Sequence, residues 1–335
     1  MGLSFEVRRG GGYANAPLPR RVDPASLQTL TGESMGTTWS VRIDNPAMLP
    51  LAGIRAAIDA ALGDVVRQMS TWESDSDISR FNRAATGTRH VLKPEFARVL
   101  ACALHWAQES DGAIDPTVGP LVGFWGFGAQ ASANDTAPSP DAAQAVHERV
   151  GWRRIAFDAS TSTVLQPGDA SLDLSGIAKG FAVDHVAAAL RALDLANFLI
   201  EIGGELRASG HRPGGIPWQV QIEMSPGTSS RVALSDTSIA TSGDRWHVRE
   251  REGRRWSHSV DPRTGEPAGD ALASVSVLHR ECMQADALAT LLTVLGPLQG
   301  MEFARRHSIA ALFAARGNDG LRLIPTDRWP AAMKT

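Results

Sequence analysis

Between Gln284 and Leu295 the chain is written for two environments at once. At about 100° per residue, Leu288, Leu291, Leu292 and Leu295 share one face of a helix, and Asp286, Thr290 and Thr293 share the opposite one. Such a helix must press its leucines into a core while keeping a polar face against something else, and Gly296-Pro297 is expected to close it. Asp286 and Thr290 stand four residues apart, so their side chains are neighbours. Carboxylate and hydroxyl are hard oxygen donors, suited to Mg²⁺ or Ca²⁺ and poorly suited to zinc. The same pattern also describes a solvated face with an Asp near the positive end of the helix dipole.

The rest of the chain alternates strand and helix signals. Residues 38–43 alternate as a half-buried strand; 54–69 and 96–107 have helical spacing, the second entered through Pro94. Residues 129–140 are a polar, Ala- and Pro-rich surface insertion. A short helix is expected over 141–150 and a longer one over 177–193. Strands are expected over 198–202, 218–223 and 274–278. Strands next to one another and helices in blocks predict an α+β fold with prominent antiparallel pairing. No internal repeat is visible.

A chain of 335 residues with net charge −3 is long enough for one lobed domain or two domains. Balanced charge lacks the basic stripe of a nucleic-acid protein. No uninterrupted apolar run reaches the ~20 residues of a membrane helix. The two cysteines, Cys102 and Cys282, allow a single bridge at most and read as small core residues. Arg8, Arg9, Arg20 and Arg21 are followed by no apolar region, so the start reads as a tail and not as a secretory signal. That is the pattern of a cytoplasmic chain, or of a periplasmic one whose signal has been removed.

Three segments could carry chemistry. Asp173 to Gly180, DLSGIAKG, puts Ser and Gly before a helix and Lys179 in its first turns. Helix N-termini favour anions, phosphate above all, and a lysine there adds a point charge. It is neither a Walker loop nor a dinucleotide Gly-x-Gly-x-x-Gly pattern, and it equally suits a helix capped by Ser175. His258 lies just before the Asp261-Pro262-Arg263-Thr264-Gly265 turn, where a strand would deliver it to a cleft edge as a general base or a structural histidine. Gly32-Glu33-Ser34-Met35-Gly36 matches the Gly-x-Ser-x-Gly elbow of a serine hydrolase. The segment before Ser34 reads as the end of the tail, and a strand pattern follows where the elbow needs a helix.

Eight pieces in order resemble one family, the bacterial FAD:protein FMN transferases or ApbE-like flavin transferases. They are ESMGTTWSV from Glu33, MSTWESDSDISRFN from Met69, GAIDPTVGPLVGFWGFG from Gly112, DLSGIAKGFAVD from Asp173, IGGE from Ile202, SIATSGD from Ser238, HSVDPRTG from His258 and ADALAT from Ala285. The resemblance spans roughly Thr29 to Ile324. It implies an ApbE-like fold, a mixed and largely antiparallel sheet flanked by helices, with two lobes around a flavin cleft. Residues 1–26 would be a tail, 27–327 the catalytic domain and 328–335 a C-terminal tail.

The resemblance further implies Mg²⁺-dependent transfer of FMN from FAD to a Thr or Ser hydroxyl of an acceptor flavoprotein, with AMP leaving. Met35, Trp72, Ala113, Ile114, Asp115, Asp173, Lys179 and Val260 match FAD-contacting positions. Trp72 stands where the family more often has tyrosine. Asp286 and Thr290 match side-chain metal ligands, and Gly176 matches a backbone-carbonyl ligand. His258 is the candidate base, and Asp244 is a candidate for ordering the cleft. A Mg²⁺-dependent FAD pyrophosphatase would use the same residues with water as acceptor. A flavin carrier would need no metal pair. No nucleic-acid partner and no integral membrane segment are expected.

Overall fold

The computed structural model describes residues 26–129, 131, 140–225, 228–244, 248–251 and 254–330. Nearly all of the N-terminal tail and of the 129–140 insertion, and residues 331–335, lie outside the described residues. In chain order come β1 (Leu27–Ser34), β2 (Thr37–Asp44), α1 (Leu51–Met69), α2 (Asp77–Asn82), β3 (Arg89–Val91), α3 (Pro94–Glu109), α4 (Gly119–Phe124) and α5 (Pro140–His147). There follow β4 (Ala156–Asp158), β5 (Thr163–Leu165), α6 (Ala178–Arg191), β6 (Phe198–Ile202), β7 (Glu205–Ser209), β8 (Trp218–Ser225), β9 (Thr228–Leu234) and β10 (Thr237–Gly243). The last are β11 (Val248–Arg251), β12 (Arg254–Ser257), β13 (Leu272–His279), α7 (Cys282–Arg306), β14 (Ala310–Gly317) and β15 (Gly320–Pro325).

Eight strands form one sheet in the order β1-β2-β6-β7-β10-β13-β14-β15. Every pairing between described strands is antiparallel, as expected for an α+β fold. The period-2 pattern divides the faces. Ile200 of β6, Val275 and Val277 of β13 and Phe313 of β14 meet the helices; Leu199, Leu206, Ile239, Leu312 and Ala314 meet the β8–β9 hairpin. Ile54, Ile58, Leu62 and Val65 of α1 pack with Phe181, Val186 and Leu190 of α6, so the predicted apolar stripes are the ones that bury. On the far face Trp218 is wholly buried and its indole donates to the Ser209 carbonyl at 3.1 Å. Trimming a residue of that size to Ala costs about 3–5 kcal/mol in a core that cannot collapse.

Three boundaries differ from the sequence expectation. A strand, β1, precedes Ser34, so the segment read as tail is sheet. The elbow is excluded because Met35-Gly36, at φ 53° and 70°, makes a two-residue hairpin into β2 where a helix is required. The α7 helix begins at Cys282, breaks at Gly296 (φ 74°, ψ −176°) and resumes to Arg306, because Pro297 is tolerated as the first residue of a new helical segment. Trp329, assigned to the C-terminal tail, packs on the hairpin-side core. Cys102 and Cys282 are both buried and free. By length and composition α7 is apolar enough to cross a membrane, yet most of that stretch is buried inside the fold.

Candidate active site

The first turn of α6 lacks a cap of its own. Its N-cap is Ile177, which has no side-chain acceptor, and Ser175 is exposed and does not cap it. The Gly180 N–H instead donates to Asp286 Oδ2 of α7 at 2.9 Å, across 106 residues of sequence. The anion held by this helix terminus is therefore a carboxylate of the chain itself. The two helices meet closely enough to demand glycine: a Cβ at Gly180 would lie 2.7 Å from Asp286 Cβ and against the Cys282 carbonyl. One turn earlier, a Cβ at Gly176 would lie 3.2 Å from Thr290 Oγ1. The structure thus brings together Gly176, Asp286 and Thr290. Thr293 is not part of this group, because its hydroxyl donates to the Ala289 carbonyl of its own helix at 2.8 Å.

Lys179 is held from the sheet side. Its Nζ donates to Glu205 Oε2 at 2.7 Å. Glu205 opens β7, directly after Gly203 (φ 60°) and Gly204 (φ 107°), a turn only glycine makes without strain. Gly203 N–H donates to the Thr38 carbonyl at 3.1 Å, and its missing Cβ would lie 2.8 Å from Thr37. The hairpin turn that carries Met35 is therefore at the same end of the sheet. The sequence pattern gives Glu205 no role of its own; the double glycine directly before an acid is the signal that points to it.

Charge in this cluster is dominated by burial. Asp286 is 5% exposed. Desolvation pushes its carboxyl up, with Lys179 and the Gly180 N–H pulling back. Burial likewise raises Glu205, opposed by Lys179 and reinforced by Asp286. Burial alone would lower Lys179, but the two carboxyls outweigh it and raise the ammonium. Two buried acids beside one partly exposed cation make a region that favours added positive charge.

A second wall is tied to the first through backbone. Asp173 N–H donates to the Pro116 carbonyl at 2.7 Å, and Asp173 Oδ1 accepts the Ser175 N–H at 2.8 Å. Asp115 is spent internally: Oδ1 accepts from the Thr117 N–H and hydroxyl, each at 2.7 Å, and Oδ2 from the Trp152 N–H at 2.8 Å. Burial raises its carboxyl and these hydrogen bonds oppose the rise. Ala113 is buried, and Ile114 packs between two core clusters. Asn82, which the sequence reading did not single out, brackets Leu172 with bonds of 2.7 and 2.9 Å and so sets the approach to Asp173.

Helix α4 bridges to His258. A Cβ at Gly119, its first residue, would lie 3.3 Å from Asp173 Cβ, and Phe127, three residues past its end, meets the His258 ring edge-on at 6.3 Å between centroids. Val260 is buried with Leu121 and Trp125. The turn after it closes as expected, with Arg263 N–H and Nε both donating to Asp261 Oδ1 at 2.9 Å. Asp244 faces Arg316, which donates to both its oxygens at 2.6 and 2.8 Å. Trp72 is 73% exposed, and no described contact joins it to the other candidates.

The oxygen donors fit a hard divalent cation that also takes ligands from a substrate. Among the described residues no group of three or more His, Cys, Asp or Glu could hold a metal alone. One carboxylate, one hydroxyl and one carbonyl, with Gly176 pressed against Thr290, is the sparse set Mg²⁺ accepts when phosphate oxygens complete it.

The model of the ApbE family matches residues 35–313. A FAD:protein FMN transferase of Vibrio cholerae is 36% identical over 89% of this chain and 90% of its own, and one of Haemophilus influenzae is 37% identical over 87% of each. Among solved structures, the flavin transferase ApbE of Vibrio cholerae superposes with a TM-score of 0.84 at 33% identity, covering 92% of this chain and 100% of that one. The apo flavinyl transferase ApbE of Pseudomonas stutzeri gives 0.84 at 35%, covering 90% and 95%. With a family match over most of its length and relatives above 30% identity across nearly all of it, this chain belongs to the ApbE family.

Proposed function

We propose that this chain is a FAD:protein FMN transferase that moves FMN from FAD to a Thr or Ser hydroxyl of an acceptor flavoprotein and releases AMP. The observation that carries the reading is the Asp286–Gly180 bond, which packs the first turn of α6 on the polar face of α7 and brings Gly176 beside Thr290. The named function of the relatives supports it.

Asp286, Thr290 and the Gly176 carbonyl would hold Mg²⁺. Bound there, Mg²⁺ supplies charge neutralisation for a pyrophosphate. Lys179 spends one N–H on Glu205 and keeps two for phosphate oxygens. Met35, Trp72, Ala113, Ile114, Asp173 and Val260 line the flavin nucleotide, and the exposed indole of Trp72 is open to ring stacking. Asp115 shapes the loop beneath it and makes no free side-chain offer to the ligand beyond one remaining lone pair of Oδ2. The acceptor oxygen bonds to the FMN-side phosphorus and the P–O bond to the AMP phosphate breaks, AMP keeping the electron pair. His258 takes the hydroxyl proton. Asp244, tied to Arg316, orders the end of β10.

The test is intact-mass measurement of an acceptor flavoprotein after incubation with this chain, FAD and Mg²⁺, with chromatography of the nucleotide. An acceptor heavier by FMN less water, together with AMP, is the expected result. FMN and AMP with an unlabelled acceptor would make the chain a pyrophosphatase. FAD binding without turnover would make it a carrier.

A further inference from the structure

Three buried carboxyls, Glu205, Asp286 and Glu201, sense the charge of Lys179, and Glu205 holds it. Its Nζ is 2.7 Å from Glu205 Oε2, whose side chain is 3% exposed, and among the described residues no ion pair joins Lys179 to Asp286. Asp286 feels the ammonium as a charge but gives its Oδ2 to Gly180, and no described hydrogen bond falls on its Oδ1. The two partners differ in freedom. Glu205 is anchored at the start of a central strand, paired to Ile202 and preceded by a pinned double-glycine turn. Lysine carries its charge on a flexible four-carbon stem. If Glu205 lost its charge, Asp286 would be the carboxyl whose charge acts most strongly on that ammonium.

We propose that Glu205 is a positioning residue: it keeps the Lys179 ammonium on the sheet side and so leaves Asp286 open to a divalent cation. This rests on the cation site assigned above. A partner behind the ligating groups, which touches no metal itself, typically changes metal affinity by ~10–100-fold when removed. The effect should run through Lys179, so it should vanish when the ammonium is absent.

The experiment is a Mn²⁺ titration followed by electron paramagnetic resonance, without FAD, above pH 8 so that Glu205 is ionised. It compares the parent with Glu205→Gln, Glu205→Asp, Lys179→Met and the double variant Glu205→Gln/Lys179→Met, with circular dichroism as a check on folding. Glu205→Gln should bind Mn²⁺ ~10–100-fold more weakly, Glu205→Asp should recover most of the loss, and the double variant should match Lys179→Met. Equal affinity in Glu205→Gln and parent, or a double variant as weak as Glu205→Gln, overturns the proposal. Should Glu205→Gln not fold, Lys179→Met decides: binding at least as tight as the parent supports the proposal and weaker binding overturns it. A parent that takes up no Mn²⁺ removes the cation site and this inference together, whereas acceptor labelling tests the transferase reading separately.

Discussion

Asp286 of α7 accepts the backbone N–H of Gly180, the third residue of α6, at 2.9 Å. The carboxylate thereby replaces the cap that Ile177 cannot provide, and the helix terminus in turn stabilises a charge that burial disfavours.

Asp286→Ala should abolish Mg²⁺-dependent transfer while the protein stays folded. The change strands the Gly180 N–H at a cost of about 1–3 kcal/mol, but it also removes a buried acid. Several kcal/mol of charge stabilisation corresponds to a loss of ~100-fold or more in rate. Acceptor labelling at saturating Mg²⁺, beside a circular dichroism melt, checks both halves. Undiminished metal-dependent labelling would sink the ligand assignment.

Gly180→Ala tests the contact between the helices. On an open helix the change would gain about 1 kcal/mol. Here the new methyl meets Asp286 Cβ and the Cys282 carbonyl, so backbone must move and the net result should be a loss of about 1–3 kcal/mol. Urea unfolding measures it. A stabilised variant would mean that α6 and α7 pack less tightly than described.

His258→Ala should lose transfer by ~10²–10⁴-fold and keep most FAD affinity, because a base acts on the attacking hydroxyl. The two are separated by calorimetry with FAD and by acceptor labelling. Equal loss of both would make His258 a binding residue, and unchanged labelling would leave the ring a packing partner of Phe127.

The metal-free protein should lose stability as pH rises. Burial lifts the Glu205 carboxyl from its ordinary 4.5 to about 8. Between those values the folded state keeps a proton that the unfolded chain has released, so the unfolding free energy declines across that window. Urea midpoints at several pH values should fall more steeply for the parent than for Glu205→Gln. Parallel slopes would exclude Glu205 as the titrating group.

Local pattern determined much of this protein. The leucine face of α7, the stripes of α1 and α6 and the Asp261–Gly265 turn are periodic or short-range, so neighbouring residues specify them. The grouping of Asp286 and Thr290 was legible for the same reason, since i and i+4 always meet on a helix. Partners were not legible. Glu205 lies 26 residues from Lys179, Arg316 lies 72 from Asp244, and Asp286 lies 106 from Gly180. Nothing in the local spacing of an acid says which distant cation or N–H will reach it; that is decided when antiparallel strands and two helices close on one another. The same closure turned Asp115 inward to bind its own loop and took Thr293 out of the polar face, because a buried polar group must bond to whatever the fold brings within reach.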